Sequence, residues 1–539
     1  MLTTWIQDTT RRIFPSSSLP PGDFGENGFR LILARGERRA FQVGVRNGSL
    51  HACRLSAEIL DTQGLRVRLR RIGYVPLRHL TTDTDPAELD VPGAIPGFVP
   101  DPLHDDPETH LGPLETGGFW IDVQAPEEMP AGNRSVCLLL KPEKGEAIRH
   151  TAAVTVAEMA LPAREGLPVT HWLYLDAIAD WYGVSPLSDP FWEKVNPYLE
   201  NLVGHGNDTL FTPFLAPPVN GDNRPIQLLG IWCDEGRYRF DWSELRRWVA
   251  RGKEMGFRYF EWSHLFSQWG AKYAPRVYEG FAEEERAFWP LQTPGLSGEY
   301  RDFLSQLFPE WKRFLIEEEI LDRSFFHLSD EPNGKKAPEN YRAVATFVRE
   351  KAPWLNPTEA VEELPLVKEG YIGQPVCSVE NIDLFLAEGI RPWAYYCCNP
   401  RGPWINRFLD TPLWKIRMVG WLLHRTGAGG FLHWGYNYWS RKLTRELVDP
   451  FSVSDAGRWP AWPSGDPFMV YPGPEGPLDS IRWEIFAESL QDYALLQAGG
   501  SPEAGSLEPL RSFRDFPRDP PWIEITRESL LCGLPAGPV

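Results

Sequence analysis

The sequence predicts an α/β protein: a (β/α)8 TIM-type barrel preceded by an N-terminal antiparallel β-sandwich. Three observations lead there. Residues 25–160 hold short segments in which apolar and polar residues alternate with period two, punctuated by Gly, Asn, Asp and Pro. That is the pattern of antiparallel strands packed on one face. Beyond residue 168, short apolar runs alternate with helix-length amphipathic stretches, as in successive βα units. Between the two regions lies LPAREGLP (161–168), two prolines around a polar middle, which suits a domain boundary. The chain therefore divides into a sandwich (1–165), a barrel (166–497) and a C-terminal tail (498–539) packed on one or the other.

The sandwich strands are read at 29–35, 39–47, 54–60, 118–123, 134–140 and 151–159. The Pro-, Asp- and Gly-rich segment 83–117 reads as a long surface loop. The barrel strands are read at HWLYLD (171–176), TLFTPF (209–214), FRYFEWSHL (257–265), FFHLSDEP (325–332), TEAV (358–361), DLFLA (383–387), PWAYYCC (392–398) and GFLHWGYN (430–437). Amphipathic stretches such as FWEKVNPYLENLVGHG fall between them. Two connections, 266–299 and 438–478, are far longer than usual. Both belong on the C-terminal face of a barrel, where pockets form. The second carries Trp439, Trp459, Trp462, Asp466 and Tyr471. Asp479 reads as the N-cap of a last long helix, and a short element is expected near 522–531.

Composition narrows the function. The 539 residues carry a net charge of −18, which disfavours general binding to nucleic acid or an anionic membrane. The 23 tryptophans suit sugar binding, because the C–H face of a pyranose stacks on an indole. Seven scattered cysteines include no CxxC pair, so neither a disulfide framework nor a zinc cage is expected. The first twenty residues lack the apolar core of a secretory signal, and no run reaches the length of a membrane span. The expectation is a cytoplasmic protein. Metal and cofactor motifs (HExxH, DxDxDG, GxxxxGK[ST], strand-linked GxGxxG) do not occur, so no metal and no cofactor are expected. A homodimer is compatible with the sequence.

The sharpest chemical signal is FHLSDEPN (326–333). An apolar run enters it, and a Pro and an Asn-Gly turn leave it. Asp330 and Glu331 thus sit at the end of the fourth strand. Two adjacent carboxyls cannot ionise independently, so one stays protonated as an acid while the other stays anionic. Glycoside cleavage needs that division. Neighbours on a regular strand face opposite ways, so the pair shares a pocket only if the strand turns there, as Pro332 suggests. Around it, His264 ends the third strand and is placed to meet a sugar hydroxyl. Trp434 and Tyr436, two apart, are candidates for stacking on a ring, and Trp462 for a pocket wall. Asn399, Asn437 and Asp466 are candidate readers of hydroxyls.

FHLSDEP, YYCCNPRGPWINRFLDTPLWKIRMVGWLL (395–423), GFLHWGYNYW (430–439), GDPFMVYPGPEGPLDSIRWE (465–484) and QDYALL (491–496) resemble the DUF4091 glycoside-hydrolase-like proteins, which are related to glycoside hydrolase family 123. The resemblance spans the barrel and much of the sandwich. It implies exo-cleavage of terminal β-linked N-acetylgalactosamine from an oligosaccharide or glycoconjugate, by a retaining, substrate-assisted mechanism through an oxazoline. Glu331 would be the acid and base, and Asp330 would orient the acetamido N–H. Tyr396 is preferred over Tyr395 as donor to the acetamido carbonyl. The alternatives are a β-glycosidase of other specificity, acting on a β-N-acetylglucosaminide or β-galactoside, and a non-catalytic carbohydrate-binding barrel.

Overall fold

A computed structural model describes residues 2–18, 29–90, 96–216, 224–499 and 507–532. The N-terminal region forms two five-stranded sheets. One orders Leu2–Gln7, Arg38–Asn47, Thr116–Gln124, Arg66–Leu77 and Gly97–His104. The other orders Arg30–Arg35, Ile148–Ala160, Gly132–Pro142, Cys53–Asp61 and Glu108–Leu111. All pairings are antiparallel except that of Arg30–Arg35 with Ile148–Ala160, which is parallel and corrects the expectation at that edge. The first sheet is buried on both faces. Phe41, Val43, Phe119 and Ile121 enter the core between the sheets, while the intervening Ala40 and Trp120 join the core of the following region. Strand periodicity thus splits one strand between two cores. Segment 83–117 is not one loop: Gly97–His104 and Glu108–Leu111 are strands within it. Part of it, 91–95, lies outside the described residues.

Eight short parallel strands follow: β1 Val169–His171, β2 Thr209–Thr212, β3 Tyr259–Trp262, β4 Ser324–Phe326, β5 Thr358–Ala360, β6 Gln374–Ser378, β7 Trp393–Tyr395 and β8 Gly430–His433. They form two sheets, β1-β8-β7-β6-β5 and β2-β3-β4. A single parallel bridge, Phe326 to Pro357, spans the gap between β4 and β5. Asp208 N–H donates to Val169 O at 3.3 Å between β1 and β2. The ladders are those of two half-barrel sheets. The strands are shorter than their apolar runs because the chain bends away once it reaches the carboxyl end. One assignment was wrong: DLFLA is helical (Ile382–Ala387), with Ile382 and Phe385 buried three apart. The sixth strand is instead QPVCS, disguised by Pro375, which lacks the N–H that a ladder uses.

The last long helix, Ile481–Ala498, is capped by Ser480, whose Oγ accepts from Trp483 N, rather than by Asp479. It is buried almost all round, because the first sandwich sheet covers one side. Asp479 instead serves the joint between the two. Arg70 is fully buried and donates to Asp122 Oδ2 (2.6 Å), Asp479 Oδ2 (2.6 Å) and Glu484 Oε1 (2.5 Å). A second cluster pairs Arg39 with Glu524, Arg417 with Asp492, and Arg527 with Glu37. Glu524 and Arg527 lie on helix Pro520–Cys532, which packs with Ile32, Ala157 and Leu495 around Leu531. Residues 500–506 and 533–539 of the tail lie outside the described residues. A further contact lies beyond the strand Arg66–Leu77. His79 stacks on Trp459 with centroids 4.1 Å apart, and Thr81 donates to the Asp410 carboxylate from N at 2.7 Å and from Oγ1 at 2.8 Å. Among the described residues no helix is long and apolar enough to cross a membrane.

Candidate active site

β4 ends at Phe326, and the next five residues are fixed by hydrogen bonds rather than by a ladder. Leu328 N and Ser329 N donate to Glu359 Oε1 at 2.6 and 3.1 Å. Ser329 Oγ donates to Ser267 O at 2.8 Å, and Trp269 N donates to Asp330 O at 2.6 Å. Glu331 has φ 46°, a left-handed conformation unusual for a residue with a side chain. That turn resolves the strand-parity problem: Asp330 and Glu331 line the same cavity, of about 260 Å³. Strained backbone of this kind is held only where surrounding contacts over-determine it.

Gln268 Nε2 donates to Asp330 Oδ2 at 2.9 Å, and Tyr395 Oη lies 3.1 Å from Glu331 Oε1 and 3.4 Å from Glu362 Oε1. Burial, then the charge of Glu331, pushes the Asp330 carboxyl up to about 7. Burial likewise raises Glu362 to about 7, although Asn381 donates to it at 2.5 Å. Beneath the pair, His327 Nε2 donates to Glu261 Oε1 at 2.7 Å, and its Nδ1 lies 3.7 Å from Glu359 Oε2. Burial alone would lower His327, but the bonds and charges of the two glutamates outweigh it and raise it to about 10. An imidazolium between two buried carboxylates therefore underlies the acidic pair. Glu261 also accepts from Trp172 Nε1 at 2.8 Å and Thr170 Oγ1 at 2.5 Å. The network thus draws on β1, β3, β4 and the adjoining β5.

Of the residues expected around the pair, Trp434 and Trp462 line the cavity, with ring centroids 4.8 Å apart. The others do not line it. His264 is buried, stacks on His327 at 4.6 Å, and is held neutral by burial and the neighbouring imidazolium. Tyr396 is buried with its hydroxyl unpartnered; Tyr395 takes the inward place expected of it, and with Cys397 shows the period-two face. Tyr436 does not share a face with Trp434, because β8 stops at His433 and strand parity stops with it. Its hydroxyl donates to Asn201 at 2.8 Å. Asn437 is buried, accepting from Tyr174 N at 2.8 Å and donating to Tyr174 O at 3.0 Å. Asn399 is exposed, and its peptide to Pro400 is cis. Asp466 is fully buried, with Oδ1 3.4 Å from His433 Nε2, and burial raises it to about 7 against Arg407 and Arg482.

Sequence reasoning passed over Trp172 and Tyr174, Gln268 and Trp269, Tyr438 and Lys442, all of which line the cavity. The first two alternate at the end of β1, and that period was visible. Gln268 and Trp269 come from the long connection after β3, where no periodicity points inward.

The glycoside hydrolase 123 catalytic domain matches residues 172–498. The chain belongs to glycoside hydrolase family 123. A solved family 123 glycoside hydrolase from Clostridium perfringens superposes with a TM-score of 0.69 at 13% identity, covering 92% of this chain and 88% of that one. A Bacteroides ovatus family 5 xyloglucanase gives only 0.29 at 10% identity, over 87% and 98%, which supports no conclusion. A search of curated protein sequences returned no match. Family membership makes the protein a glycosidase, and the acidic pair lies within the matched catalytic region.

Proposed function

We propose that the protein is an exo-acting, retaining β-N-acetylgalactosaminidase using substrate assistance. In this reading residues 166–497 act as one closed (β/α)8 barrel, braced by the sandwich (1–165) and by the tail (498–539). The observation that carries the reading is the pairing of Asp330 and Glu331 in one small cavity, with no other acid among its described lining residues. An ordinary retaining glycosidase uses two carboxyls that flank the scissile bond, one as acid and one as nucleophile; in this reading adjacent Asp330 serves the acetamido group instead. Here the substrate's own acetamido oxygen attacks the anomeric carbon and the leaving oxygen departs as an oxazoline forms. Glu331 protonates that oxygen, then takes a proton from the incoming water. Asp330 accepts the acetamido N–H. That contact favours the Asp330 anion. Tyr395, bonded to Glu331, holds it in place. Trp434 and Trp462 supply apolar faces for the ring. The Clostridium perfringens relative is described in connection with glycolipid glycan hydrolysis, which favours a glycoconjugate as substrate.

The test is a panel of chromogenic β-glycosides with a thiazoline analogue of the intermediate. Turnover of the N-acetylgalactosaminide but not the plain galactoside, with tight thiazoline inhibition, supports the scheme. Glu331→Gln should spare activated aryl leaving groups relative to poor ones. Absence of thiazoline inhibition, or turnover indifferent to the acetamido group, refutes substrate assistance.

A further inference from the structure

We infer that the cleft recognises an anionic substituent on the glycan, a sulfate ester or a carboxylate, through Lys442. The identification of the ligand as a glycan rests on the glycosidase reading above; the anion preference rests on the following observations.

Lys442 lies in the connection after β8, between two arginines that are each neutralised on the outside of the turn. Arg441 pairs with Glu446 at 2.7 Å, and Arg445 Nη1 donates to Glu285 Oε1 at 2.8 Å. Lys442 is treated differently. Its ammonium stands 4.8 Å above the ring of Trp462 and lines the cavity of Asp330 and Glu331. Among the described residues no carboxylate lies within ion-pair distance of it. It is the sole lysine or arginine among the described residues lining that cavity. Burial, then the charge of Arg458, lowers its pKa. A partly buried ammonium held over an indole, with no carboxylate among the described residues paired to it, is left able to take an anion. Lys442 is not among the groups acting most on Asp330, which are Glu331, Gln268, His327 and Glu359. A ligand anion would complete the charge balance, and the Trp462 ring holds the ammonium at the cavity wall where it would meet that anion.

The charge can reside on the terminal sugar or on the next unit. Three chromogenic or coupled-assay substrates separate these sources: the aryl β-N-acetylgalactosaminide, its 6-sulfate, and a disaccharide in which the same sugar is linked to a uronic acid. The wild type should favour at least one charged substrate over its neutral counterpart by about tenfold in kcat/KM at low salt, the scale of a charge-assisted contact. The preference should shrink in 0.5 M salt, collapse in Lys442→Met and persist in Lys442→Arg. Absence of preference for both charged substrates, or a preference that survives in Lys442→Met, overturns the proposal. Calorimetric binding of N-acetylgalactosamine and its 6-sulfate separates this idea from the hydrolase reading. Tighter binding of the sulfated sugar, lost in Lys442→Met, without turnover of any glycoside would retire the hydrolase and keep the subsite. Equal binding together with normal turnover of neutral substrates would do the reverse.

Discussion

Replacing Asp330 by Asn should stabilise the fold at pH 8 while removing most of the turnover. Burial and the charge of Glu331 lift the Asp330 carboxyl from its ordinary value of 3.8 to about 7. Each unit corresponds to about 1.4 kcal/mol, so keeping this group ionised costs the folded protein at most about 4 kcal/mol. The cleft is open to water, which screens part of that, and about 1–2 kcal/mol should remain. Asparagine keeps an oxygen for the Gln268 N–H, so no donor is orphaned. The sign follows from a raised carboxyl. Below about pH 4 the group is neutral in both states and costs nothing. The penalty grows between pH 4 and 7 and is complete above 7. Urea denaturation of both proteins at about pH 3.5 and pH 8 reads this directly, with unchanged m-values as the check on two-state behaviour. The variant's midpoint should be higher at pH 8 and nearly equal at about pH 3.5, below the ordinary carboxylate value. An Asp330→Asn protein that is no more stable at pH 8, or that gains equally at both pH values, would refute the argument.

Other expectations concern the surroundings of the pair. Trp434→Ala should lower kcat/KM by about 5- to 150-fold with little change in Tm, since stacking on an aromatic ring is worth about 1–3 kcal/mol by analogy with bases; normal kinetics with lost stability would make it a core residue. Glu359→Gln leaves an acceptor for Leu328 and Ser329 but strips His327 of one counter-charge, so kcat should fall more than KM changes, and the acid limb of the pH profile should move down as one negative charge near Asp330 disappears. An unmoved limb would mean that Glu359 is only a packing group. Arg70→Met leaves three buried acids without their shared cation and should cost about 3–5 kcal/mol in denaturation; a loss below about 1 kcal/mol would show that the joint is not held by charge.

Much of this architecture was readable in the chain because periodicity reports which face is covered. Six of the eight parallel strands stand where apolar runs predicted them; β1 ends at His171, where its predicted run begins, and Leu175 and Asp176 already belong to a helix. QPVCS escaped because a proline sits in it, and DLFLA was mistaken for it because a five-residue apolar run has no decisive period. RVRLRRIGYVPL, strand Arg66–Leu77, was missed for a different reason. Four arginines interrupt its apolar alternation, and the burial of Arg70 depends on acids hundreds of residues away. Asp330 and Glu331 stood out as a local motif. Their neighbours were harder to read, because past a strand's last ladder residue alternation can lapse: it carries on through Trp172 and Tyr174 and through Cys397, but fails at Tyr436 after β8.

The joint between sandwich and last helix also acts at a distance. Buried charged groups in mutual contact tolerate little slippage: a small rotation would break several ion pairs at once, where a greasy seam would glide. The same sheet carries, beyond its strand Arg66–Leu77, the loop that stacks His79 on Trp459 and ties Thr81 to Asp410. Trp459 belongs to the connection that also bears Lys442 and Trp462. The joint therefore works as a protractor, fixing an angle in one place that sets where the mouth of the cleft stands in another. An N-terminal region with no catalytic group of its own in this reading would still govern which glycans fit.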